Sequence, residues 1–379
     1  MKQFYFDTAS TTRISETALS AYNRYSKETY GNPSSLHDTG KAAKEVLETS
    51  RATMEALLGS REYNLIFTSG ASESNSIVLS SLLWKRRPGA ILVSPLEHPS
   101  VTGFRTLLKE KGYSWNVCEA PGGLIDPTSI IGSLTSQTQL IVLSAVHNIL
   151  GTIQPIRSIY QAVKQRYPDI HIHLDATQAP GKTVWDLETF PCDSFALSAH
   201  KIHGPKGIGV LAVKKNSTMR SLSSAGGQEQ GMRGGTENLP AVAAFSVAIQ
   251  ETLSNQEAIL ASVRRHRELL DTHLKKIPGL SYLSPVSEHS VPNILTISTP
   301  LPSEVFLRIM NDKGFALSAS SACSSNTKGK QILDASISGF SDTQRKHAVR
   351  ISWDRFTSYD EISRLITAVG ETIETYGRR

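Results

Sequence analysis

Asp193-Ser194-Phe195-Ala196-Leu197-Ser198-Ala199-His200-Lys201 is the stretch from which the rest of the chain is read. Its first half is a short apolar run of strand type. Behind it, Ile202-His203-Gly204-Pro205-Lys206-Gly207 is a turn leading into a second strand over residues 208–213. Lys201 thus sits at a strand end, beside a histidine and braced by glycines. Where burial and neighbouring cations lower its pKa, a lysine in such a place is nucleophilic and suits Schiff-base chemistry with an aldehyde.

Working outward, residues 65–67, 90–93, 140–143 and 170–174 are further short apolar or alternating runs, separated by helical stretches such as 73–84 and 155–166. That alternation predicts an α/β fold, a mostly parallel sheet covered by helices. Upstream, residues 4–9 read as a strand and 16–27 as a helix. Tyr30-Gly31-Asn32-Pro33-Ser34-Ser35 reads as a loop suited to face a ligand, and Asp38 as the N-cap of a helix running toward residue 58. A long helical pattern over 241–276 stops at Pro278-Gly279. Beyond it come a strand (293–297), a helix (303–313), a Ser/Ala loop holding Cys323, a strand (348–352) and a C-terminal helix from Tyr359. These suffice for a smaller α+β domain. We expect a large domain at residues 14–253, and a small one built from 1–13 and 254–379.

The chain has 379 residues and a formal net charge of +6, with Lys and Arg scattered rather than clustered among aromatics, so nucleic-acid binding is not indicated. The N-terminus shows neither a signal peptide nor an Arg-rich presequence, and no segment approaches a membrane span of about 20 apolar residues, so we expect a cytoplasmic protein with no membrane partner. Three cysteines are too few and too far apart for a disulfide framework or a zinc site, and no metal is expected. Cys118 and Cys192 lie in or beside strand-like runs and read as core residues. Cys323, in its polar loop, differs from both.

Ligands of such sheets bind beyond the carboxyl ends of the strands. Gly70-Ala71-Ser72, between a strand and a helix, offers backbone amides to a phosphate, and the nucleotide motif G-x-x-x-x-G-K-[ST] is absent. Asp175 ends an apolar strand and needs a partner, which a pyridinium nitrogen would supply. His98 is a candidate to lie over a flat ring, and Asn148 and Gln178 are candidates to hydrogen-bond a phenolic oxygen; each is ambiguous alone. With Lys201 they match what pyridoxal 5'-phosphate requires.

These residues stand in motifs spread along nearly the whole chain, which holds no internal repeat: Tyr5-Phe6-Asp7, Gly31-Asn32-Pro33, Ser69-Gly70-Ala71-Ser72-Glu73-Ser74-Asn75, Glu97-His98, Leu174-Asp175-Ala176-Thr177-Gln178, Ser198-Ala199-His200-Lys201, Gly235-Thr236-Glu237-Asn238, Ser321-Ala322-Cys323-Ser324 and Val349-Arg350-Ile351-Ser352. In these the sequence resembles the cysteine desulfurases, NifS/IscS-like, of the class V aminotransferase family. The resemblance implies a fold-type I pyridoxal-phosphate homodimer that converts L-cysteine to L-alanine. By it, Lys201 carries the cofactor, Asp175 meets the ring nitrogen, His98 the ring face, and Asn148 and Gln178 the phenolic oxygen. Ala71, Ser72, Ser198 and His200 hold the phosphate, with Thr236 from the second subunit. Arg350, with Asn148, receives the substrate, the arginine by its carboxylate. Cys323 takes the sulfur as a persulfide, on a loop expected to travel to a sulfur-acceptor protein, an iron–sulfur scaffold or a tRNA-thiolation protein.

The sequence departs from the family pattern at His147, Ile149, Gln230 and Asp354, and in Ser324-Ser325-Asn326-Thr327 after Cys323. Alternative readings are a selenocysteine lyase or small-amino-acid aminotransferase of the same family, or a scaffold homologue without activity.

Overall fold

The computed structural model describes residues 3–222, 226–319 and 339–377. In chain order its strands are β1 Phe4–Tyr5, β2 Tyr63–Thr68, β3 Ala90–Val93, β4 Ser114–Val117, β5 Thr138–Ser144, β6 His171–Asp175, β7 Ser194–Ser198, β8 Gly209–Lys214, β9 Ser281–Tyr282, β10 Ile294–Ser298, β11 Phe315–Ala316, β12 Ser318–Ala319 and β13 Ala348–Ser352. Seven of them form the main sheet in the order β2-β8-β7-β6-β5-β3-β4. Only β8 runs against its neighbours; the other pairings, β7-β6, β6-β5, β5-β3 and β3-β4, are parallel. β3 and β7 are buried along their whole length, because helices cover both faces, and this is why they read as unbroken apolar runs. Leu65, Phe67, Ile141, Ile172 and Phe195 pack on one face with Met54, Val163 and Phe245. Ile66, Ile91, Val142 and Leu211 pack on the other with Ile77 and Val78.

The reversal of β8 places Gly209 between Thr68 and Ser198, at the carboxyl ends of β2 and β7. A side chain is excluded there: a Cβ on Gly209 would lie 2.5 Å from both the Leu197 carbonyl and Gly70 Cα. Two strand ends and the Gly70 turn are thereby drawn together.

A second sheet, β12-β13-β10-β9, is antiparallel throughout. With the helices Gln256–Leu274, Ser303–Asp312 and Tyr359–Tyr376 it encloses Phe6, Leu270, Ile297, Phe306, Ile351, Trp353 and Leu365. Phe6 reaches this core because β1 pairs in parallel with β11. The last helix starts at a capping box in which Ser358 and Glu361 exchange bonds with each other's backbone amides.

Three expectations are corrected. The pattern over 241–276 is two helices, Leu239–Leu253 and Gln256–Leu274. The first is buried almost all round, mostly against the main core, whereas the second packs Val263, Leu270 and Leu274 into the second core, so the chain turns at Ser254-Asn255 to pass from one to the other. At the N-terminus only Phe4–Tyr5 is strand, since the backbone then bends to aim the Ala9 and Ser10 carbonyls at Lys201. The N-cap before residue 58's helix is His37, whose ring accepts from the Gly40 amide, and Asp38 is already helical.

Candidate active site

A cavity of about 300 Å³ opens at the carboxyl ends of the main strands. Ala71, Ser72, His98, Asn148, Asp175, Gln178, Ser198, His200, Lys201 and Arg350 all line it. A larger cavity of about 700 Å³, bounded by Trp84, Lys164, Asp193 and Lys214, lies elsewhere. There Asp193 is already paired with both lysines. The smaller cavity is therefore the one where the strand ends and the reactive groups meet. The loop at residues 30–35 does not line it, and Tyr30 stands exposed. Thr236 is also exposed and outside this chain's own cavity, and Cys323 lies outside the described residues.

Lys201 follows β7 in a turn that folds back sharply, with His203 at φ 66°, a conformation that costs a non-glycine residue energy. The turn is held because the His203 amide donates to Thr12 Oγ1 (2.8 Å) and the His203 and Phe356 rings pack edge to face. Lys201 Nζ donates to the carbonyls of Ala9 (2.8 Å) and Ser10 (2.6 Å). His200 is bonded through Nδ1 to Thr11 Oγ1, and burial, then the charge of Lys201, lowers its pKa to about 4, so the ring is neutral at physiological pH.

The helix Ala71–Ser81 begins at Gly70, which has no side chain to cap it, so its start at Ala71 and Ser72 faces the cavity with the positive end of the helix dipole. The Ala71 amide is engaged by Ser198 Oγ at 2.8 Å, which ties the helix start to the end of β7. His98 caps the next helix, Pro99–Thr102, by accepting the Ser100 amide at Nδ1, which leaves the proton of the neutral ring on Nε2. Although the ring is open to the cavity, the density of protein around it lowers its pKa, against a smaller opposing effect of Asp175.

Asp175 Oδ1 accepts the Thr177 amide, and Oδ2 accepts Asn75 Nδ2 at 2.8 Å. Asn75 Oδ1 lies 2.9 Å from His173 Nε2, His173 Nδ1 lies 2.8 Å from Ser194 Oγ, and that hydroxyl lies 2.7 Å from His171 Nε2. Burial lowers both histidines far below their usual pKa, so they are neutral and the row has one polarity: each group donates toward Asp175. Neither Asn75, His173 nor Ser194 was expected at the site. The sequence signal for the two histidines was their period of two with Asp175, whereas nothing local marked Asn75.

Arg350, on β13, is buried and bonds the Asn148 carbonyl, Asp7 and Ser10 Oγ. Its pairing with Asp7 was also not expected. Gln178 Nε2 donates to the Ala9 carbonyl, while its buried Oε1 has no partner among the described residues.

The family model for "Aminotransferase class-V" matches residues 4–365. The chain belongs to the class V aminotransferase family. It is 33% identical to "NifS/IcsS protein homolog" of Lactobacillus delbrueckii subsp. bulgaricus over 99% of this chain and 98% of that protein. It is also 33% identical to "Cysteine desulfurase" of Trichormus azollae, over 99% and 94%. A solved structure named "NIFS-LIKE PROTEIN" superposes with a TM-score of 0.90 at 28% identity, over 98% of this chain and all of that one. Within the class V family the chain thus stands among the NifS/IscS-type cysteine desulfurases, which are pyridoxal-phosphate enzymes.

The residues present fit that cofactor. The helix start at Ala71 and Ser72, with Ser198 beside it, suits a phosphate, Asp175 a ring nitrogen, Lys201 an aldehyde, and the Gln178 oxygen, unpartnered among the described residues, a donor on the ring. The family departures are accounted for in part. Ile149 packs with Leu150, Leu283 and Ala348 between the two sheets, and Asp354 faces His203 at 3.6 Å. Gln230 follows Glu229 in left-handed backbone, held there because Glu229 is buried against Arg51.

Proposed function

We propose that the protein is a cysteine desulfurase acting on L-cysteine, releasing L-alanine and leaving the sulfur as a persulfide on Cys323. The observation that carries this is the single cavity joining the helix start at Ala71, Asp175, Lys201 and Arg350. When bound, the cofactor supplies an electron sink that lets the substrate Cα proton leave. Asp175, steadied by Asn75, would hold the ring nitrogen. Lys201 would hold the aldehyde and move the Cα proton, its reach set by the Ala9 and Ser10 carbonyls. Arg350 would hold the substrate carboxylate, its orientation fixed by Asp7 and the Asn148 carbonyl.

The sulfur step is balanced without an outside oxidant. Cys323 Sγ, as thiolate, bonds to the substrate sulfur, the Cβ–S bond breaks with its electron pair going to carbon, and protonation of that carbon gives alanine. Cys323 is the thiol suited to this role. Burial pushes the Cys118 thiol up to about 12 and raises that of Cys192 further, so neither supplies a thiolate. β12 pairs Ser318 with Arg350, and Cys323 follows five residues later, within a chain span of at most about 18 Å.

Residues 14–253 would form the cofactor domain, and 1–13 with 254–379 the smaller one. The assembly would be a cytoplasmic homodimer in which Thr236 completes the partner's phosphate site, and the persulfide would pass to an acceptor protein. The test compares wild type with Cys323→Ser. The variant should bind cofactor and change colour with cysteine yet release less than about one-hundredth of the alanine, while label from cysteine sulfur resides on Cys323 of the wild type. Full alanine release by the variant, label only on Cys118 or Cys192, or a keto acid as product would each overturn the reading.

A further inference from the structure

A second, much smaller cavity adjoins the lysine turn. It measures about 20 Å³, and its walls include Thr8, Lys182, Ile202, Thr252, Asn293 and Arg355. That is room for one water molecule. Four buried polar atoms on these residues have no hydrogen-bond partner among the described residues: Thr8 Oγ1, Thr252 Oγ1, Asn293 Oδ1 and Arg355 Nε. Two can donate or accept, one accepts and one donates, a set that a single water can bridge and that apolar packing would leave unmet.

Lys182 on the same wall is buried, and its Nζ donates to the Lys201 carbonyl at 3.3 Å. No carboxylate pairs with it among the described residues. The groups around it are mixed: Lys201 and Arg350 oppose its charge, Asp354 favours it, and His203 and Arg355 complete the wall. Burial first, then Lys201, lowers its pKa to about 7. Two segments are joined here. Thr8 adjoins the Ala9 and Ser10 carbonyls that hold Lys201 Nζ, and Lys182 holds the Lys201 main chain.

We propose that this cavity binds one ordered water, and that Lys182 together with this water is a positioning residue for the Lys201 turn. Through it the 8–12 segment and the lysine turn keep a fixed spacing, and so does the amine they present to the active site. The inference rests on the assignment of Lys201 as the cofactor lysine. Coupling between two lysines is reciprocal, so whatever charge Lys182 carries lowers the affinity of Lys201 for a proton.

The test uses the holoenzyme. In Lys182→Met, which keeps an unbranched chain one atom shorter and removes the charged donor, the pH midpoint of the cofactor's visible band should rise by about half a unit or more. Turnover should fall about tenfold with KM for cysteine within about twofold. Thr252→Val, which removes one water ligand and spares Lys182, should lower turnover in the same direction and serves if Lys182→Met does not fold. A high-resolution crystal structure should show one water within bonding distance of Thr252 and Asn293. An unmoved midpoint with wild-type turnover in folded Lys182→Met, or a cavity without water density, would overturn the proposal. Borohydride trapping separates this from failure of the site reading: cofactor fixed elsewhere than Lys201 in the wild type refutes the latter alone.

Discussion

Glu97 is wholly buried behind His98, and neither carboxyl oxygen has a hydrogen bond of good geometry among the described residues. Burial, and secondarily the charge of Asp175, raises its pKa from 4.5 to about 8, while Ser144 and Ser94 lie close enough to offset only part of the cost. The folded protein therefore keeps a proton that the unfolded chain loses above pH 4.5, and stability falls as pH rises from 4.5 toward about 8, then levels. Glu97→Gln keeps the shape and cannot ionise. Thermal melts should show it a few degrees more stable than wild type at pH 8.5 and no different near pH 4.5. Equal melting temperatures at the alkaline end would show that Glu97 does not hold the proton. Glu97 was legible in the sequence only as the neighbour of His98, because its burial depends on strands far along the chain.

β6 shows what one strand can do with alternation. Its period of two sets His171, His173 and Asp175 on one face, and Asn75 from the helix Ala71–Ser81 bridges the last two. His173→Leu leaves Asn75 Oδ1 and Ser194 Oγ without this partner, a loss of about 1–3 kcal/mol for a buried group. It also frees the Asn75 amide to turn away from Asp175. We expect a lower melting temperature, and a turnover reduced more than about tenfold with KM nearly unchanged, since the carboxylate would be misaimed rather than removed. His173→Gln, which retains polar reach on both sides, should recover part of that turnover. If both variants lose stability alone and keep wild-type turnover, the row is structural only.

At the scale of the molecule, Arg350 joins the two sheets: it rises from β13, meets Asp7 at a separation of 343 residues, and bonds the Asn148 carbonyl beyond β5. The cavity exists only once both sheets have formed. If Thr236 completes the partner's phosphate site, chains carrying Lys201→Ala and chains carrying Thr236→Glu should rescue each other. Each mixed dimer then contains one intact site, so co-expression should give about a quarter of wild-type activity. Activity no higher than the mean of the two parent homodimers would show that the site is built within one chain.

The strand-and-helix alternation, the strand ends at Ser69-Gly70-Ala71, His98, Asn148, Asp175 and Lys201 that line the cavity, and the family itself were determined by the sequence alone, because each is carried by short contiguous runs of residues. The break at Ser254-Asn255 was not, since helical periodicity continues across it and only the change of core demands a turn. Nor were Asp7 against Arg350, Asn75 against Asp175, Lys182 against Lys201, or the Ala9 and Ser10 carbonyls against the lysine amine. A hydrogen bond is satisfied by any donor and acceptor brought to about 3 Å. Residue identity therefore names the candidates, and only the packed sheets decide which of them meet.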